Sequence, residues 1–290
     1  MKKKLIVLGI LFATFGFNKI NAQEDSEKKE LSLLDKTMIG FTFSDADAAA
    51  MAQQTVAELD ANNPIASSTD GYTIRLNRLF GKHASSEGVT LNYKVYLVKD
   101  INAFACADGS VRVFAGLMDI MDDNELLAVI GHEIGHVVNQ DTKNHIKALY
   151  RKEALLHAAS SQSEAFKTIS KTELGKFGSK LIDSGHSKKQ ESKADLFAYD
   201  FMKKHGYNVN AVESSFRILQ KASEGEDSSF ISRMQRSHPE PGKRADDAKK
   251  RATKDGLYSA YEKQKIDNTV PVKAKTATKI TVKKTTAKKK

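Results

Sequence analysis

Four residues of α-helix rise about 6 Å and swing the side chain by about 40°. The two histidines of His132-Glu133-Ile134-Gly135-His136 therefore emerge side by side only if this stretch is helical, and no other segment constrains the fold so tightly. The surrounding residues agree. Asp122 is placed to cap a helix, and Glu125, three residues on, is placed to reach back to its amide. From Leu126 to about Val138, the side chains of Leu126, Leu127, Val129, Ile130, Ile134, Val137 and Val138 cover more than half of the helix circumference, which predicts a buried helix. Gly131 and Gly135 each cost about 1 kcal/mol in a helix interior relative to alanine. Their presence predicts that another element passes close to the histidines.

Two imidazoles so placed can grip one metal ion, and Glu133, on the same helix, can reach a water on that ion without ligating it. With eight histidines in the chain, the spacing alone can arise by chance. A catalytic zinc needs a third protein ligand and one position left for water, whereas structural zinc is closed by four ligands, commonly cysteines. Glu191-Ser192-Lys193-Ala194-Asp195 lies on a predicted helix from about Ser187 to Lys204, closed by Gly206. Glu191 is the candidate third ligand. Asp195, one turn later, is placed to orient a ligand imidazole through its second nitrogen. One Zn2+ per chain is expected. The single cysteine, Cys106, cannot form an intramolecular disulfide and reads as inert core. His83, His145, His157, His186 and His205 have no partner at ligand spacing and read as surface residues.

The formal net charge of +10 resembles a nucleic-acid footprint until it is located. Residues 1–22 carry four lysines and residues 268–290 eight, with no acid in either, so the remainder is close to neutral and no nucleic-acid partner is expected. Lys2, Lys3 and Lys4, an apolar run from Leu5 to Phe17 and a small residue at Ala22 read as a signal peptide over 1–22. The run is shorter than the roughly 18–20 residues that span a bilayer. No cysteine lies near the cut, so an exported periplasmic or secreted protein that is not a lipoprotein is expected. Residues 23–43 read as a linker, 44–262 as one domain and 263–290 as a disordered lysine-rich tail, able to associate electrostatically with anionic membrane or envelope polymer.

Within the domain, Ser44 caps a predicted helix from Asp45 to about Leu59, and a second covers about 71–82. Val89–Val98, Ala103–Ala107 and Val111–Phe114, with a turn at Asp108-Gly109-Ser110, read as three short strands. From Asp122 to about residue 260 the pattern is helical, with breaks near 139–143, 183–187, 205–210, 223–229 and 237–242. The fold class is α+β: a mostly helical domain with a small antiparallel sheet. Segment 140–186, polar and helical, separates the ligand helices and is a candidate flap over the cleft.

Four motifs in order resemble the M48 zinc metallopeptidases, and among them the small single-domain periplasmic type: Asn102-Ala103-Phe104, His132-Glu133-Ile134-Gly135-His136, Ser187 through Asp195, and Ser237-His238-Pro239 followed by Arg244. Lys188 stands where the third motif usually has arginine. The resemblance covers roughly residues 70–250 and implies a zincin-like domain and an endopeptidase acting on unfolded or misassembled envelope proteins. It implies His132, His136 and Glu191 as zinc ligands, Glu133 as general base and His238 as donor to the developing oxyanion, or as part of a loop that covers the metal. It further implies Asn102 and Ala103 on an edge strand contacting substrate main chain, and Arg244 securing the His238 loop through an acidic neighbour. The alternative is a zinc-bound, largely latent homologue acting as a chaperone or binding module. Oligomeric state and natural substrate are not legible.

Overall fold

The computed structural model describes residues 43–86, 88–159, 185–224 and 236–269. The expected signal peptide, nearly all of the linker, segment 160–184 and the chain beyond 269 lie outside the described residues.

Chain order gives α1 (Asp45–Asn62), α2 (Gly71–Phe80) with a 3-10 turn at Gly81–His83, and a two-residue hairpin of β1 (Ser85–Ser86) and β2 (Val89–Thr90). There follow β3 (Asn92–Tyr96), β4 (Ala103–Ala105), β5 (Ser110–Phe114), α3 (Ala115–Ile120), α4 (Asp123–Val138), α5 (Asp141–Ala159), α6 (Lys188–Lys204), α7 (Asn210–Glu224) and α8 (Pro241–Lys254). The α+β class stands.

The sheet is more varied than the strand pattern implied. β5 is central, antiparallel to β4 and parallel to β3, so one pair of the three-stranded sheet runs parallel. The expected strand Val89–Val98 divides at buried Leu91, whose amide donates to Ala84 O, because β2 pairs back onto β1 while β3 pairs onto β5. Gly109 turns the chain from β4 into β5 at φ 83°, where an added Cβ would lie 2.0 Å from Thr90 O. Only glycine fits.

One face of the sheet packs against α2 and α4, with Val95, Ala103, Ala105, Val111 and Val113 meeting Leu76, Phe80, Leu126, Ile130 and Ile134. The other face carries Tyr96, Phe104, Cys106 and Phe114 against Met51 and Val56 of α1 and Ile146 and Tyr150 of α5. The first part of the expected flap is thus a helix seated on α1.

The histidine-bearing helix, α4, begins with the expected capping box: Asp122 accepts from Glu125 N at 3.0 Å, and Glu125 from Asp122 N at 2.9 Å. A third party holds both carboxylates. After α8 the chain turns at Asp255-Gly256 and runs without helix or strand to residue 269. Tyr261 Oη donates to Asp122 at 2.8 Å, Gln264 N donates to it at 2.7 Å, and Lys263 pairs with Glu125 at 3.2 Å. Asn268 Oδ1 accepts from Arg75 at 2.8 Å. The expected helical pattern to residue 260 ends at Lys254, and the expected boundary at 263 falls inside this docked strap.

Gly131 and Gly135 admit α6. A Cβ on Gly135 would lie 3.1 Å from Ala194 Cα and 3.2 Å from Ala194 O, whereas one on Gly131 would meet mainly the Phe201 ring at 3.2 Å. Backbone cannot yield as a ring can. Gly135→Val should therefore destabilise the protein by about 2 kcal/mol through overpacking, while Gly131→Ala should stay within about 1 kcal/mol of the parent. Urea unfolding of the two variants checks the contrast, and equal effects would remove the backbone contact as its cause.

Candidate metal centre

Glu191, Ala194, Asp195, Ala198, Phe201 and Met202 recur at three- and four-residue spacing as the buried stripe of α6. Ser187 caps this helix, exchanging hydrogen bonds with Gln190, so Glu191 stands in its first turn, where the helix dipole favours a carboxylate. The stripe lies on α4 at Gly131 and Gly135, which brings Glu191 to the histidines.

The nitrogens converge. His132 Nε2 and His136 Nε2 are 3.0 Å apart. Glu191 Oε1 lies 3.2 Å from His136 Nε2, and Glu191 Oε2 lies 3.5 Å from His132 Nε2. His238 adds Nδ1, 3.1 Å from Glu191 Oε1 and 3.2 Å from His132 Nε2. These four residues, all buried, offer ligand atoms within 4.8 Å of one another. Each imidazole turns its other nitrogen to a carboxylate: His132 Nδ1 is 2.9 Å from Asp195 Oδ1, and His136 Nδ1 is 3.0 Å from Asp141 Oδ2.

Arg244 crosses the group. Its Nε donates to Asp195 Oδ2 at 3.0 Å, and its Nη1 pairs with Glu191 Oε2 at 2.8 Å. The acidic neighbours expected for Arg244 are thus residues of the site itself. Burial opposes ionisation of Glu191, but His238, His132 and the hydrogen bond to His136 hold its carboxyl well below the usual range. Asp195 is buried too, and Arg244 with His132 keeps it low. Arg244 is one cation among the buried carboxylates Glu133, Asp141, Glu191 and Asp195. Arg244 Nη2 also lies 3.1 Å from His132 Nε2, so a cationic group already stands beside the two Nε2 atoms and the carboxylate, and a divalent ion there suits both this charge balance and the donor chemistry.

Glu133 stands beside this group. Its Oε1 has no hydrogen-bond partner, although it is 3.4 Å from His238 Nε2, and burial raises its pKa. It lines a cleft whose walls include β4 and the following Cys106, together with Thr142, His145, His186 and His238. Among the described residues, Thr142 Oγ1 and His186 Nδ1 are also buried without hydrogen-bond partners. Unmet polar atoms are uncommon in native interiors, and here three of them gather in one cleft.

β4 lies at the sheet edge, as expected for Asn102 and Ala103. Phe114 N donates to Asn102 O, and Cys106 N to Ser110 O, so by antiparallel alternation Ala103 and Ala105 turn their backbone groups away from β5. Asn102 Oδ1 takes the Ala103 amide at 2.9 Å, and Asn102 Nδ2 has no partner.

Three histidines depart from the surface expectation. His83 is buried and bonds Tyr207 Oη at 2.8 Å. His186 is half-buried, its ring stacked on His136 with centroids 3.8 Å apart, and His145 lines the same cleft. His205 is exposed as expected, and His157 lies outside the described side chains. Contacts across the fold bury these rings, and their spacing along the chain carries no sign of it. Asp141 lies outside both ligand motifs, in the break after the second histidine, and only the turn at Gln140 brings it back to His136.

The comparisons with known proteins agree with the geometry. Residues 73–252 match Peptidase family M48. The chain is similar to the metalloprotease LoiP of Escherichia coli (strain K12), 36% identical over 218 residues, covering 75% of this chain and 85% of LoiP. It is similar to the metalloprotease YcaL of the same organism, 38% identical over 205 residues, covering 70% and 79% respectively. A shorter likeness, 43% over 65 residues, covering 21% of this chain and 22% of the relative, links it to the protease HtpX of Xanthomonas euvesicatoria pv. vesicatoria (strain 85-10). With a family match across most of the domain, and two relatives aligned over most of their length, the chain belongs to peptidase family M48 and is a metalloprotease.

Proposed function

We propose that the chain is an exported zinc endopeptidase that hydrolyses peptide bonds in unfolded or misassembled proteins of the cell envelope. One observation carries the reading: two Nε2 atoms and the Glu191 carboxylate converge beside a buried Glu133 whose Oε1 is unpaired, in a cleft bordered by the edge strand β4. His132, His136 and Glu191 would hold the ion. Zinc there would lower the pKa of a bound water to about 7 and polarise the scissile carbonyl. Glu133, its pKa raised by burial toward the working range of a base, takes a proton from the attacking water and passes it to the leaving amine. An extended substrate adds to β4 through the outward carbonyl of Ala103 and the backbone groups of Ala105, while Asn102, whose Oδ1 takes the Ala103 amide, fixes the strand end. Main-chain pairing of this kind ignores side-chain identity, which suits unfolded substrates. Asp195 orients His132, and Arg244 ties Asp195 to Glu191.

Glu191→Ala should lose most of its zinc by elemental analysis, because two ligands hold the ion poorly. Glu133→Gln should keep both zinc and fold yet cleave casein about 100-fold more slowly or worse. Near-parental cleavage by Glu133→Gln would reject the general-base assignment.

His238 favours a second, resting state of the same site. With its Nδ1 among the donors it completes a set of four, the closed arrangement of a structural zinc. Turnover then requires the His238 loop to withdraw, after which the imidazole donates to the oxygen that gains charge. His238→Ala should lower kcat by about 100-fold. Faster casein cleavage than the parent would instead make His238 purely a plug.

The lysine-rich tail is read as a recruiting element for anionic surfaces. Because Asn268 is docked on Arg75, the truncation that tests it starts at 270. It should leave casein cleavage in dilute buffer intact and reduce co-sedimentation with phosphatidylglycerol vesicles at low salt. Binding insensitive to truncation or to salt would rule out electrostatic recruitment.

A further inference from the structure

We propose that Asp141 is a positioning residue for the metal: it fixes the ring and tautomer of His136 from the opposite side to the ion, as Asp195 does for His132. The inference rests on the zinc reading above and concerns a residue that the sequence motifs do not include.

The turn between the two helices delivers Asp141 to this place. α4 ends with Asn139 donating to Gly135 O, and Gln140 then adopts φ 63°, a left-handed conformation that non-glycine residues rarely take. That reversal starts α5 at once. Asn144 N closes its first turn on Gln140 O, and Asp141 becomes its first residue. An ordinary helix continuation would have carried residue 141 onward along α4, about one and a half turns beyond His136. Instead the carboxylate folds back, buried, to 3.0 Å from His136 Nδ1. Strained backbone kept next to a cleft is a recurrent mark of function.

The chemistry follows from valence. A carboxylate that accepts from Nδ1–H leaves Nε2 as a bare lone pair, and His136 Nε2 faces His132 Nε2 and Glu191 Oε1. His186 covers the ring face, stacked within 14° of parallel. His136 is therefore held at one edge and one face, with only Nε2 presented to the ligand group. The two histidines use different devices. The carboxylate of His132 comes from α6 and is shared with Arg244, whereas that of His136 comes from the first residue of α5, directly after the turn that ends its own helix.

The competing role for Asp141 is purely structural, as an acidic first residue stabilising the start of α5. Zinc affinity of the full-length chain, measured by chelator competition, separates the two roles when paired with thermal unfolding of the metal-free protein. Asp141→Ala should weaken zinc binding 10- to 100-fold. Asp141→Asn keeps an oxygen acceptor at the same place and should recover part of that loss, which also guards against misfolding of the alanine variant. In the cobalt(II)-loaded proteins the d–d absorption should shift in the same order. Parental zinc affinity in both variants would overturn the proposal, as would lowered metal-free stability with unchanged affinity. A parent chain that binds no zinc would sink the zinc reading and this inference together, an outcome distinct from parent and variants binding equally well.

Discussion

The site exists because the backbones of α4 and α6 nearly touch. A Cβ at Gly135 would sit 3.1 Å from Ala194 Cα, so the interhelical distance is set by the absence of a side chain on one partner and by a methyl group on the other. Every acidic residue that α6 contributes is placed by that contact: Glu191 lies one turn before Ala194, and Asp195 directly after it. Arg244 on α8 can then span both carboxylates. Glycines that weaken an isolated helix are here the condition for bringing a third donor to two histidines, and helix propensity is set aside in favour of geometry.

Much of this was legible in order along the chain. The capping box at Asp122 and Glu125, the buried circumference of α4 and the implied close neighbour at Gly131 and Gly135 all depend on local periodicity, which a sequence displays directly. Glu191 and Asp195 were legible because one-turn spacing on a capped helix is equally local. Asp141 was hidden by a single left-handed residue, Gln140, which reverses the chain where no glycine announces it. His186 was hidden because ring stacking on His136 joins residues fifty apart with no pattern between them. The parallel pairing of β3 with β5 escaped notice because strand patterns encode faces and not partners. The strap escaped because its hydrogen bonds are to single carboxylates and carbonyls, and it buries little apolar surface of its own.

The unpaired carboxylate oxygen of the cleft contrasts with the acids described elsewhere in the fold. Asp60 takes Arg112, Lys94 and Tyr96, and Asp122 takes an amide of its own helix, a phenol and a second amide. Both of these acids are saturated with donors. Glu133 is buried to a similar degree and keeps Oε1 unpaired. Where every other buried carboxylate described above is satisfied, this one keeps an unpaired oxygen, which supports the general-base role proposed for it.

The strap has a consequence for the order in which the enzyme comes into being. The two histidines and Glu133 lie on one helix, but Glu191 follows more than fifty residues later, His238 later still, and the tyrosine and amide that brace the helix start are at 261 and 264. A chain growing from its N-terminus carries its hydrolytic motif long before it can assemble the apparatus around it. Until residues 261–264 are made, Asp122 and Glu125 lack the phenol, amide and ammonium donors that brace the start of the helix carrying both histidines, so the N-terminal cap of that helix is completed from the far end of the described chain.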